Sequence, residues 1–282
     1  MLHSDRYITF NYEQFGEGTP MLILHGNGPD HRMMAGCLEP LFTEEDKIKR
    51  IYVDLPGMGR TPAADWMVSS DDMLKAVERM IAALIPGERF ILVGQSYGGY
   101  LARGLLRKYA DIIDGLFLLC PCVIAEMQDR ELPALQVMHR DSALLAEMSG
   151  ADWEDFASIT VVQSRSVWER YEREVECGLK LADESFMQRI KASGGYPFSF
   201  DVNDVPVFEK PALILTGKQD SLTGYKDMLK LLDLYPHSTF AVLDRAGHNL
   251  HLEQEAIFGA AVREWLSRVA EAANLQSGGA AV

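Results

Sequence analysis

Short, nearly continuous apolar runs recur along the chain at residues 21–24, 51–53, 90–93, 116–120, 212–215 and 239–243. Each stops at a glycine, a proline or a polar residue. Strands that are apolar at every position have both faces covered, as in a parallel sheet flanked by helices. The stretches between them carry a helical period instead, with apolar residues three and four apart in 70–84, 99–109 and 253–270. Residues 8–15 alternate and run into Gly16-Glu17-Gly18, the pattern of an antiparallel strand opening a hairpin. Strand and helix in alternation predict an α/β domain with a mostly parallel sheet and helices on both faces.

That rhythm breaks between Pro121 and Pro211. Only 196–200 looks strand-like there, and helices are expected over 132–148, 153–181 and 185–192. Bulky apolar groups crowd this stretch, among them Met127, Met138, Trp153, Phe156, Trp168, Phe186 and Phe198. The expected organisation is a core formed by 1–120 and 211–282, with 121–210 inserted as a helical cap over a pocket. Most of those bulky side chains would simply pack the cap onto the core. The closing residues, 274–282, are small and polar and read as a frayed tail.

Composition narrows the function. Lys and Arg number 27 against 41 Asp and Glu, a formal charge of −14. Such a surface repels phosphate backbones, so no nucleic-acid partner is expected, and a small-molecule substrate is. No apolar run reaches the ~18 residues of a membrane span, and the N-terminus lacks the pattern of a secretory signal, so no membrane partner is expected. Four scattered cysteines, Cys37, Cys120, Cys122 and Cys177, do not make a disulfide framework. A cytoplasmic enzyme fits these features.

The chemistry concentrates at the carboxyl ends of the apolar runs, where ligands bind in open α/β sheets. Gly94-Gln95-Ser96-Tyr97-Gly98 follows the run 90–93 and precedes a helix. This G-x-S-x-G is a nucleophile elbow, with small residues two positions either side of the serine so that strand and helix can approach. A serine hydroxyl needs a base, and the base an orienting carboxylate. His248, just after the run 239–243, and Asp220, just after 212–215, stand at matching strand ends. Asp244 is the backup carboxylate. His25-Gly26-Asn27 follows the first run, so the Asn27 and Tyr97 backbone N–H groups are the expected oxyanion donors. His25, Asp54 and His251 are read as structural.

With these landmarks between residues 22 and 253, the chain resembles the α/β-hydrolases that carry a helical cap. The resemblance implies an eight-stranded sheet, the triad Ser96, Asp220 and His248, and no metal or cofactor. Serine at the elbow separates it from the haloalkane dehalogenase and epoxide hydrolase branches, which use aspartate. His25-Gly26-Asn27-Gly28-Pro29 is similar to the HGxGP of meta-cleavage product hydrolases, which cleave carbon–carbon bonds in vinylogous diketones. Those enzymes usually place Asn before the serine and Trp after the histidine, where this chain has Gln95 and Asn249. The turn differs from the HGGPG of proline iminopeptidases. The expected activity is hydrolysis of a small ester or related acyl substrate. The alternatives are carbon–carbon hydrolysis, an iminopeptidase-like amidase activity, and a non-catalytic binding role on the same scaffold.

Overall fold

The computed structural model describes residues 1–148 and 150–278. The six apolar runs become β3 (Thr19–Leu24), β4 (Ile48–Val53), β5 (Phe90–Gln95), β6 (Ile113–Leu119), β7 (Ala212–Gly217) and β8 (Ser238–Leu243). With β1 (Leu2–Ser4) and β2 (Thr9–Phe15) they form one eight-stranded sheet in the order β1-β2-β4-β3-β5-β6-β7-β8. The pairs from β4 through β8 are parallel, and β2 alone runs the other way, antiparallel to both β1 and β4. The predicted hairpin is displaced. β2 turns back on β1 before it, and after the glycine turn β4 lies between β2 and β3.

Helices α1 (His31–Leu38), α2 (Ser70–Leu84) and α3 (Tyr97–Tyr109) follow β3, β4 and β5. Asp30 and Ser69 cap the first two, accepting hydrogen bonds from the N–H groups of Arg32 and Asp72. The long C-terminal helix α8 (Glu255–Gly278) follows a single turn at Leu250–Glu253. It continues as helix to Gly278, through most of the expected tail, and residues 279–282 lie outside the described ones. One core lies where α2 and α3 meet the sheet, and the other where α1 and α8 cover the opposite face.

The segment between β6 and β7 contains four helices of six residues or more: α4 (Ser142–Glu147), α5 (Ala151–Ile159), α6 (Arg165–Tyr171) and α7 (Glu184–Ala192). It has a small core of its own around Phe156, Val161, Trp168 and Tyr171, into which Met33 and Leu252 of the surrounding chain also pack. Three expectations fail here for tertiary reasons. The predicted helix 132–148 shrinks to α4, because the N–H groups of Met138 and Asp141 are taken by the carbonyls of Val161 and Gln163. The predicted helix 153–181 breaks after Ile159, where Val162 and Gln163 pair with His139 and Arg140. Residues 196–200 form no strand. Instead Tyr196 stacks on Tyr97 at 5.2 Å and Phe198 on Tyr100 at 4.3 Å between ring centroids, laying this segment on α3.

Glu253 holds that broken helix against the chain beyond β8. Its buried carboxylate accepts the N–H groups of Val161 (2.6 Å), Val162 (3.1 Å) and Gly247 (2.5 Å). Burial pushes its carboxyl up to about 7, although the three backbone donors pull the other way. Glu253→Ala strands three buried donors, each costing about 1–3 kcal/mol when left unpaired. The variant should lose roughly 3 kcal/mol or more of stability in urea titrations, where a surface change such as Glu271→Ala should lose almost none.

Candidate active site

Close packing of backbone on backbone builds the site. A methyl group added at Gly98 would lie 2.4 Å from the carbonyl oxygen of His25, and one at Gly94 would lie 2.5 Å from that of Gly98. Only glycine lets α3 start this near to β3 and β5. The chain turns between them at Ser96, which adopts φ 51 and ψ −115. Such a conformation is costly for a residue with a side chain. Tyr97 is the first residue of α3, so its N–H is one of those the helix cannot satisfy internally.

His25 fixes the facing turn. Its ring donates from Nδ1 to the Gly26 carbonyl (2.7 Å) and accepts the Leu55 N–H at Nε2 (2.9 Å). Burial pushes this imidazole toward its neutral form, which such a bridge requires. Asp54 is equally committed to structure. It accepts the side-chain amide of Asn11 (2.9 Å), the Arg60 N–H (2.9 Å) and both the N–H (3.0 Å) and Nδ1 (2.6 Å) of His31.

Asp220 and His248 come together from the ends of β7 and β8. His248 Nδ1 donates to Asp220 Oδ2 at 2.9 Å. The other oxygen of Asp220 accepts the N–H groups of Leu222 (2.9 Å) and Thr223 (3.0 Å), and the Thr223 hydroxyl donates to Oδ2 at 2.7 Å. Burial alone would push the Asp220 carboxyl up, but His248 and the Thr223 donors carry it below the ordinary carboxylate value. Thr223 has no motif to mark it, and the sequence reading missed it.

Asp244 is exposed and accepts from Gln219 Nε2 at 2.8 Å, which braces the loop without reaching His248. His251 is fully buried, and neither ring nitrogen has a partner. Burial, reinforced by the nearby Arg170 charge, pushes it down to about 3. It stays neutral and packs 6.4 Å from the Phe258 ring.

Ser96 and His248 line one cavity of 370 Å³, together with Asn27 and Gln95. The segment between β6 and β7 supplies Met127, Ile159, Val175 and Leu179 to its walls. Among the described residues no hydrogen bond joins Ser96 to His248, and the His248 Nε2 meets the Gln95 side-chain nitrogen at 3.2 Å. Two clusters have metal-ligand atoms within 4.8 Å of one another, Cys120-Asp220-His248 and Asp30-His31-Asp54. In each, the histidine and an aspartate already share a hydrogen bond, and burial holds the Cys120 thiol protonated. Neither set is prepared as a metal centre.

The sequence model of the alpha/beta hydrolase family matches residues 21–261. The chain is 25% identical over 267 residues to the pimeloyl-[acyl-carrier protein] methyl ester esterase of Shewanella woodyi, covering 92% of this chain and 98% of that protein. It is 22% identical over 262 residues to the 2-hydroxy-6-oxo-6-(2'-aminophenyl)hexa-2,4-dienoic acid hydrolase of Metapseudomonas resinovorans, covering 92% and 88%. A solved structure of an alpha/beta superfamily hydrolase from Oenococcus oeni PSU-1 superposes with a TM-score of 0.85 at 28% identity, covering 95% of this chain and 99% of that one.

The geometry separates the two candidate carboxylates. Asp220→Asn should lower kcat/KM for an ester by about 10³-fold or more, while Asp244→Asn should stay within about threefold. Steady-state kinetics on both variants decides the assignment, and the reverse ranking transfers the role to Asp244. Asp220 is also held below its unfolded value. Its contribution to stability is therefore present above the ordinary carboxylate range and is lost as the pH falls through the lowered folded value. Acid unfolding monitored by circular dichroism should be less steep in Asp220→Asn.

Proposed function

This chain belongs to the alpha/beta hydrolase family, and we propose that it is a cytoplasmic serine hydrolase of a small carboxylic ester or related acyl substrate. The observation that carries the reading is the convergence of Ser96, in its strained turn, with the Asp220–His248 pair on one cavity. In the proposed cycle His248 Nε2 takes the hydroxyl proton as Ser96 Oγ bonds to the ester carbonyl carbon. The N–H groups of Asn27 and Tyr97 hold the oxyanion, and the proton passes to the departing alkoxide as the ester C–O bond breaks. Water, deprotonated by the same imidazole, then attacks the acyl carbon, and the imidazole returns that proton to Ser96 Oγ as the acyl C–Oγ bond breaks and the acid leaves. Asp220 holds the ring in the tautomer that leaves Nε2 free to accept.

The segment 121–210 acts as the cap in this reading, since its side chains line the cavity that Ser96 faces. Bulky apolar groups among them, Met127, Ile159, Val175 and Leu179, favour short acyl chains, where each accommodated methylene gains at most about 0.8 kcal/mol and the first that clashes loses more, while Glu126, Gln128, Arg130 and Lys191 make the rest of that wall polar. The four unbridged cysteines support a reducing compartment. Carbon–carbon hydrolysis of a vinylogous diketone is the second reading, favoured by the likeness to the Metapseudomonas enzyme and by the polar lining that Asn27, Gln95 and Asn249 give the cavity.

A panel of p-nitrophenyl esters from acetate to decanoate, with a vinylogous diketone beside them, tests both. The expected result is a kcat/KM that peaks at short chains, exceeds that for the diketone, and vanishes in Ser96→Ala. A diketone turned over well above the best ester would exchange the two readings.

A further inference from the structure

We propose that Gln95 is a positioning residue that holds the free enzyme in a resting state, by occupying the nitrogen of His248 that must accept the serine proton. The proposal rests on the triad reading above. Asp220 is a carboxylate that His248 Nδ1 reaches at 2.9 Å, so in the neutral ring Nδ1 carries the hydrogen and Nε2 presents a lone pair. Of the two ends of the Gln95 amide, only the NH₂ can face that lone pair, and it stands 3.2 Å away. The orientation of the amide follows from this chemistry.

The other end of the amide is short of partners. Gln95 is 1% exposed, and among the described residues its Oε1 has no hydrogen-bond partner. It is pressed into the turn that carries Asn27: a methyl group built at Gly26 would lie 2.2 Å from Oε1 and 3.1 Å from Ser96 Cβ. The amide therefore reaches from His248 to Gly26, in the corner where Ser96 Cβ also lies. An ester carbonyl arriving at the Asn27 and Tyr97 N–H groups must take space beside Gly26, and so competes with the amide oxygen for the same corner. A buried acceptor with no donor is costly, which makes the resting bridge easy to displace. Once the amide leaves, Nε2 is free to receive the Ser96 hydroxyl.

The Gln95 NH₂ can bond only a ring whose Nε2 carries no hydrogen, because protonation fills that nitrogen. The ionisable groups around His248 include Asp220 and Cys120 from the neighbouring strand ends, His251 beyond it in the chain, and Glu253, which accepts the Gly247 N–H; Glu126, Arg130 and Lys191 of the inserted segment line the same cavity. All of them remain when Gln95 alone is changed.

The test uses Gln95→Met, which keeps length and volume and removes the donor. Two quantities are read: the acidic limb of ester kcat/KM against pH, and the rate of fluorophosphonate labelling of Ser96 on the plateau above that limb. Loss of one hydrogen bond at Nε2 should move the limb to higher pH by about half a unit or more, and raise the plateau labelling rate about 2- to 10-fold. A limb that does not move, or labelling no faster than wild type, overturns the proposal. Should the Met variant not fold, Gln95→Glu reads the same contact with opposite chemistry. A carboxylate facing Nε2 favours the charged ring, and the limb should rise by about one unit or more; an unmoved limb again overturns it. Failure of the triad reading looks different, because wild-type Ser96 would then not be labelled at all.

Discussion

The approach of α3 to the end of β3 is the constraint from which the rest of the site follows. Gly98 lies so close to the carbonyl oxygens of Leu24 and His25 that a side chain there would have to displace backbone. This contact sets where α3 begins, and so places the Tyr97 N–H beside the turn that carries Asn27. It also leaves the chain one residue, Ser96, in which to turn from strand to helix, and that residue takes a positive φ. The strain is balanced by the pieces around it: β5 is buried between β3 and β6, while α3 packs between the sheet and the aromatic side chains of Tyr196 and Phe198. A serine on a softer turn would not hold its hydroxyl at one position relative to the base.

His248, the proposed base, is positioned by a different device. His248 stands on a loop that two elements hold from opposite sides. From the core, Asp220 fixes the ring, with Thr223 fixing Asp220. Toward the inserted segment, Glu253 ties Gly247 to Val161 and Val162, and Asn249 donates to the Thr160 hydroxyl at 3.0 Å. The wall of the cavity and the histidine loop are thus one hydrogen-bonded unit. A change in the inserted segment that reshapes the cavity also bears on the imidazole, which in the proposed cycle would couple the fit of the acyl group to the placement of the base.

The sheet was legible in the sequence because its strands are covered on both faces, and a short run that is apolar at every position needs cover on both sides. Ser96, Asp220 and His248 were legible because they stand at the ends of such runs. The inserted segment was not, because its backbone answers to distant partners. Residues 153–181 carry a helical pattern, yet the Val161 and Val162 N–H groups belong to Glu253, nearly a hundred residues on. The aromatic spacing of 196–200 suggests a strand, yet two of those rings stack on α3 instead. Thr223 and the amide of Gln95 escaped for a related reason. Each acts through a hydrogen bond whose meaning depends on His248, far away in sequence, and neither residue's type nor its spacing reports that bond.

In the proposed reading Ser96 is the nucleophile, set between two backbone donors and a base that Gln95 must first release. A crystal structure of the enzyme after reaction with a small fluorophosphonate examines all of this at once. The expected result is phosphorus bonded to Ser96 Oγ, with its unesterified oxygen within hydrogen-bond distance of the Asn27 and Tyr97 N–H groups and the Gln95 amide withdrawn from His248 Nε2. Phosphorus on another residue, or its oxygen turned away from those two N–H groups, would contradict it.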